Sequence, residues 1–190
     1  MIKVLLFSGS SRSGSVNVKL VSAVGARLRA AGAEVTQIDL RSYALPIYDG
    51  DLEEADGAPL GVSKLRETMR EHDAFVVGCP EYNGLITPLL KNSIDWISRP
   101  DENGVSGTTA VRGKVAALTA ASPGALGGLR GLAHVRTLLC NIGMLVLPDQ
   151  VALGAAFKAF DETGALVDEA ATKRVDGLVA ALISTATRLQ

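Results

Sequence analysis

Ile2-Lys3-Val4-Leu5-Leu6-Phe7 runs into Ser8-Gly9-Ser10-Ser11-Arg12-Ser13-Gly14-Ser15, and a helical pattern begins at Val16. The first run is apolar without alternation, as expected of a strand buried on both faces. The loop that follows is made of hydroxyls, glycines and one arginine. The first turn of a helix leaves backbone N–H groups unpaired, and the helix dipole places partial positive charge there. Glycines let the backbone approach an anion, the serines add donors, and the Arg12 fork suits phosphate oxygens. The stretch therefore has the makings of a phosphate cradle. The same residues also suit an ordinary strand-to-helix turn with a serine as cap.

Three kinds of phosphate loop can be compared with it. The nucleoside-triphosphate loop ends in Gly-Lys-Ser/Thr, and no lysine precedes these serines. The dinucleotide fingerprint needs G-x-G-x-x-G, whereas Gly14 is the next glycine after Gly9. A hydroxyl-rich loop at a strand end fits a single phosphate, such as that of FMN in flavodoxin-like sheets.

The chain has 190 residues, which predicts one domain spanning 1–190. Hydrophobic residues make up 47% and charged residues 21%, values that exclude a disordered chain. The formal charge of −1 gives no electrostatic case for nucleic acid or an anionic membrane as partner. No apolar run approaches the ~18 residues of a membrane span, and Val4 to Phe7 is too short for a signal-peptide core. A cytoplasmic location is expected. Cys79, Cys140, His72 and His134 have no metal-ligand spacing, so no metal site and no disulfide are expected.

Strand and helix patterns alternate along the chain. Strands are predicted at Ile2–Phe7, Glu34–Leu40, Asp73–Cys79, Lys114–Ala120 and Met144–Leu147, the last closed by Pro148, with Val151–Leu153 as an extension. Helices are predicted at 15–31, 61–71, 87–98, 129–141 and 167–189, with Gly32 stopping the first and Pro88 in a tolerated first-turn position. Residues 41–58 and 99–112 read as polar connections. Each strand followed by a helix implies a parallel sheet covered on both faces. The expected fold is a flavodoxin-like, doubly wound α/β/α arrangement with strand order 2-1-3-4-5.

In such sheets ligands lie beyond the carboxyl ends of the strands, where strand order reverses. Strands one, three and four would be neighbours there, and their loops are the most unusual in the chain. The third-strand loop carries Pro80, Glu81, Tyr82, Asn83 and Gly84. Its backbone donors and the Asn83 amide suit the pyrimidine edge of a flavin ring, with Pro80, Tyr82 and Leu85 flanking the ring. Asn-Gly and Pro also make plain surface turns, and local hydrogen bonding is the ordinary role for Glu81. The fourth-strand loop, Ser122-Pro123-Gly124-Ala125-Leu126-Gly127-Gly128, thins the wall where a ring can lie.

Taken together these residues resemble the NADPH-dependent FMN reductase family, a flavodoxin-like group that includes quinone, chromate and azo-dye reductases. The resemblance covers about residues 2 to 150. It rests on Gly9-Ser10-Ser11-Arg12 with Ser15 and Asn17, and on Pro80-Glu81-Tyr82-Asn83-Gly84 with Pro88, Lys91, Asn92, Asp95 and Trp96. Ser122 to Arg130 add support. It implies FMN as cofactor and NADPH or NADH as co-substrate. The phosphate would be held by Ser10, Arg12, Ser15, Val16 and Asn17, and the ring by Pro80 to Gly84, with Ser122 and Gly124 near its far edge. The implied activity is ping-pong hydride transfer through flavin N5 to a small quinone, azo, chromate or flavin acceptor, with no catalytic side chain. Also implied is a homodimer or homotetramer, with the helix bearing Leu89, Leu90, Ile94 and Trp96 in the contact. An aromatic residue that follows the arginine in some tetrameric members is absent near Ala133. The alternatives are a flavodoxin-type electron carrier, against which the small net charge speaks, and an FMN reductase that releases reduced flavin.

Overall fold

The computed structural model describes residues 1–190. A five-stranded parallel sheet is formed by β1 (Lys3–Ser8), β2 (Glu34–Gln37), β3 (Ala74–Gly78), β6 (Val115–Ala121) and β7 (Leu145–Leu153), in the order β2-β1-β3-β6-β7. This is the expected order. A separate antiparallel pair, β4 (Glu81–Tyr82) and β5 (Leu85–Ile86), stands beyond the end of β3.

The apolar alternation across each central strand feeds two cores. Val4, Leu6, Val76 and Ala117 face α1 (Val16–Ala30) and α6 (Glu169–Arg188), which supply Leu20, Val24, Val175 and Leu182. Leu5, Phe7, Phe75 and Leu118 face the other layer, α3 (Leu60–Arg70), α4 (Pro88–Ser98) and α5 (Leu129–Asn141), which supplies Leu65, Ile94 and Val135. Each fully buried side chain of this size contributes ~1.5–3 kcal/mol, so the central strands carry much of the stability.

Several elements differ from the sequence reading. β2 ends at Gln37, because Asp39 accepts from the Arg41 amide and opens a 3-10 turn over Leu40–Tyr43. The 41–58 connection contains a helix, α2 (Gly50–Asp56), capped by Asp49 and with no buried residue. This connection is pinned to α4. Asn92 accepts from the Tyr48 amide at 2.8 Å and donates to the Pro46 carbonyl at 2.7 Å, which the Trp96 indole also reaches at 2.7 Å.

β7 continues through Pro148 rather than stopping there. The register passes from Ala116↔Val146 to Leu118↔Gln150, so Leu147-Pro148-Asp149 forms a bulge on an edge strand, where a missing N–H costs little. Arg136 braces the bulge by donating to the carbonyls of Val146 and Pro148. α6 begins at Glu169 because the Asp168 carboxylate caps it. Leu90, Ile94 and Trp96, expected in a subunit contact, are 1%, 3% and 0% exposed within their own chain. The apolar surplus of α4 is absorbed by the core and by the 41–58 connection.

Candidate functional site

The register places Ser8 beside Gly78 and Gly78 beside Thr119, so β1 and β3 end level with one another while β6 runs on to Ala121. Close packing beneath them depends on two glycines. A Cβ on Gly9 would lie 2.7 Å from Leu90 Cβ and from Thr87 Oγ1, and one on Gly78 would lie 2.6 Å from Val21 Cγ2. Without those side chains, α4 and α1 press directly onto the strand ends. Thr87, at the head of α4, donates to the Gly9 carbonyl at 2.7 Å.

The loop after β1 is shaped by its own hydroxyls. Ser8 Oγ accepts from the Ser10 amide, Ser10 Oγ from the Arg12 amide, and Ser15 Oγ from the Asn17 amide, at 3.2–3.3 Å. The amides of Ser13, Gly14, Ser15, Val16 and Val18 have no acceptor in the protein. They crown α1, where the helix dipole already favours an anion. Gly14 holds a φ of +68°, the left-handed region that glycine enters without strain. Arg12 is exposed and has no carboxylate partner. This donor set suits a phosphate and therefore fits the phosphate end of FMN.

Asn17 is committed elsewhere. Its amide nitrogen donates to the Ala121 carbonyl at 2.8 Å and its oxygen accepts from the Ala121 amide at 2.9 Å. β3 leaves the sheet after Gly78, and the Asn17 side chain takes up the next ladder position along β6.

The β4–β5 hairpin carries the third-strand loop. Asn83 and Gly84 hold φ of +54° and +80°, the two-residue turn that suits the twist of a hairpin. The Glu81 carboxylate turns away from the cleft. It accepts from Arg130 Nε at 3.0 Å, Arg130 Nη2 at 2.6 Å and the Gly131 amide at 3.0 Å, fastening the hairpin to the start of α5. Burial works to raise its pKa, but the Gly131 amide and Arg130 together outweigh this and hold it below the usual carboxylate value. What Glu81 offers toward the cleft is its backbone.

Ser10, Arg12, Ser15, Val16, Asn17, Pro80, Glu81, Tyr82 and Ser122 line one cleft of about 170 Å³. Asn83, Gly84 and Gly124 lie outside its wall, Asn83 and Gly124 exposed and Gly84 half-buried. Phe157, 67% exposed, joins the wall. It lies in a stretch without strand or helix periodicity, so nothing in the local sequence pattern signals it.

No cysteine or histidine reaches the cleft wall. Cys79 is buried, and burial pushes its thiol pKa far up. Cys140 is exposed on α5, whose inner face is filled by Leu132, Val135 and Leu139. His72 is buried with its Nδ1 2.7 Å from the Thr68 carbonyl, and His134 is exposed on α5. Cys79→Ser, Cys140→Ser, His72→Asn and His134→Asn should each keep kcat within about tenfold, since an obligatory acid or base is typically worth ~10²–10⁴-fold. NADPH oxidation with a quinone acceptor, on variants first shown to hold FMN, checks this; a hundredfold fall in any of them would reveal a catalytic side chain outside the cleft.

A family model described as NADPH-dependent FMN reductase matches residues 2–158. The whole chain is 37% identical to an NAD(P)H-dependent FMN reductase of Pseudomonas aeruginosa, covering 97% of that protein. It is 32% identical to a quinone reductase of Escherichia coli, over 95% of this chain and 93% of the relative. Among solved structures, the flavoenzyme NAD(P)H:(acceptor) oxidoreductase FerB of Paracoccus denitrificans superposes with a TM-score of 0.82 at 27% identity, covering 99% of this chain and 98% of that one. With this sheet order, this loop of free amides and these matches over its length, the chain belongs to the NADPH-dependent FMN reductase family.

Proposed function

We propose that residues 1–190 act as one domain that transfers reducing equivalents from NAD(P)H, through FMN, to a small planar acceptor of the quinone or azo type. The observation that carries this is the set of unpaired amides of Gly14, Ser15 and Val16, beside Arg12 in a cleft at the ends of three strands. FMN supplies hydride acceptance from the nicotinamide and its onward delivery at ring N5. Ser10, Arg12, Ser15 and the backbone of Val16 hold its phosphate, and Asn17 fixes the turn that carries them. The enclosed volume, about 170 Å³, is smaller than a full ligand pocket and suits the phosphate and ribityl end. The ring is then left to the open mouth, between the hairpin Pro80–Gly84 and the loop bearing Ser122 and Gly124. Backbone donors of these loops stabilise negative charge on its pyrimidine edge without reorganising. The Glu81–Arg130 clasp keeps the hairpin at a fixed height.

Tyr82, Leu85, Leu126 and Phe157 are 45–67% exposed around this mouth. An apolar, partly aromatic rim favours planar acceptors over metal oxyanions. The E. coli relative is named for quinone reduction, which supports the same choice. The same rim gives a second copy of the chain a surface on which to close, so a homodimer or homotetramer is proposed with its contact near the mouth rather than through the buried face of α4. Two unpaired cysteines, one exposed, suit a reducing cytoplasm.

The purified protein should carry flavin bands that bleach on adding NADPH and return on adding a quinone. A colourless protein that binds no FMN in a fluorescence titration would end this reading. Arg12→Ala should weaken FMN about ten- to a hundredfold, the value of a charge-assisted bond of ~1.5–3 kcal/mol, and leave riboflavin little changed. Equal losses for the two flavins would place Arg12 away from the phosphate.

A further inference from the structure

A second cavity of about 420 Å³ lies on the other side of the serine loop, at the carboxyl end of β2. Ser10, Arg12, Gly14 and Ser15 form the partition, lining both this cavity and the cleft. Its volume is within the ~300–1,000 Å³ of small-molecule sites, yet only Val18 and Ile38 among its lining residues are apolar. The charged side chains facing it are Arg12, Lys19, Arg41 and Asp39. Arg12 and Lys19 have no carboxylate partner. Arg41 is fixed at both ends: Nε and Nη2 donate to the Asp39 carboxylate, and Nη1 donates to the Ser11 carbonyl at 3.0 Å. The guanidinium is thus bound to the serine loop itself and held in one orientation while half exposed. With Arg12 given to the FMN phosphate, Lys19 leaves the cavity one positive charge in excess, beside an Arg41 guanidinium held in place with one N–H still free on each of Nη1 and Nη2. Asp39 offers acceptor oxygens that suit sugar hydroxyls.

An apolar acceptor has no use for such a site, whereas a phosphate monoester on a nucleoside does. We infer that this cavity binds the 2′-phosphate of NADPH through Arg41 and Lys19, making it the part of the protein that prefers NADPH to NADH. The inference rests on the reductase reading for its ligand. The nicotinamide must lie at the cleft mouth, and the rest of the dinucleotide then crosses the partition formed by the serine loop. The 5′-phosphate of a second FMN has the same chemistry and is the competing source.

FMN-loaded protein is titrated calorimetrically with 2′,5′-ADP, with 5′-AMP and with excess FMN. The expected result is that 2′,5′-ADP binds at least tenfold tighter than 5′-AMP. Lys19→Gln, a change on the exposed face of α1, and Arg41→Lys, which keeps the charge and removes the fork, should each erase most of that preference in variants that retain FMN. Equal affinity for the two nucleotides, or a preference untouched by both substitutions, overturns the inference. So does saturable binding of a second FMN that both variants abolish, which would assign the cavity to flavin. If the loaded protein oxidises neither NADPH nor NADH while the 2′,5′-ADP preference stands, the reductase reading fails and the phosphate site survives. If NADH is oxidised and no preference exists, only the phosphate site fails.

Discussion

Asn17→Ala should lower stability by about 2–4 kcal/mol and weaken FMN binding at least tenfold. The Asn17 side chain is 4% exposed, and it is the hydrogen-bond partner of both the amide and the carbonyl of Ala121, itself 3% exposed. Its removal leaves a buried donor and a buried acceptor without partners, at ~1–3 kcal/mol each. The tie also joins the first turn of α1, with its free amides, to the end of β6, from which the Ser122 loop departs. Loosening it allows the phosphate side and the ring side of the cleft to move independently, so cofactor affinity falls along with stability. Asn17→Asp is the sharper test. It keeps the acceptor for the Ala121 amide but sets an oxygen against the Ala121 carbonyl, and should be nearly as damaging in a side chain of the same size. Urea unfolding with an unchanged m-value, together with FMN fluorescence titration, measures both effects. A loss below about 0.5 kcal/mol in the alanine variant would show that water replaces the amide without cost.

The double role of this residue shows what a sequence can and cannot carry. The asparagine lies among serines at a helix start, and that composition points to a phosphate. That β3 stops two positions before β6 does, leaving a ladder site for a side chain to fill, is a fact of tertiary register and leaves no local mark. The three central strands were legible because Val4–Phe7, Phe75–Val77 and Val115–Leu118 are continuous apolar runs that only a doubly covered sheet accommodates. α2 was not, since none of its residues is buried and hydrophobic periodicity therefore has nothing to report; only the Asp49 cap and the acidic first turn hint at it. The hairpin had its signal in Asn83-Gly84, but strands of two residues are too short to show alternation. Pro148 reads as a stop because a central strand cannot hold proline, and the sequence does not reveal that β7 lies at the edge. Glu81 shows a further limit. Its place between Pro80 and Tyr82 put it at the site, whereas the direction of its side chain depends on Arg130 and Gly131, fifty residues away.

Val62, Leu65 and Met69 define the inner face of α3, and their spacing includes position 66, so an arginine falls on the stripe that enters the core. Arg66 is 7% exposed and has no carboxylate partner. Its guanidinium donates to the carbonyls of Ile97 at 3.0 Å, Trp96 at 3.1 Å and Arg99, which close the last turn of α4. Those carbonyls are the negative end of the helix dipole, and they take the place of a counter-ion. Burial lowers the pKa of Arg66 below the ordinary arginine value. Gly107 completes the fit, since a Cβ there would lie 2.0 Å from the Ile97 carbonyl and 2.6 Å from Arg66 Nε. Arg66→Met keeps the stem and removes every donor, so it should cost about 3 kcal/mol and lower Tm by roughly 6–12 °C for a domain of this size. Arg66→Lys retains the charge but reaches fewer of the carbonyls, and should recover about half of the loss. The site end of α4 is fixed separately, by Thr87 on the Gly9 carbonyl, so FMN affinity of the folded Arg66→Met protein should change less than threefold. Thermal unfolding followed by circular dichroism, with FMN titration below the transition, separates the two quantities. A Met variant as stable as the parent would mean that the α4 terminus is satisfied without this arginine, and a tenfold loss of FMN would mean that α4 transmits strain along its length to the serine loop.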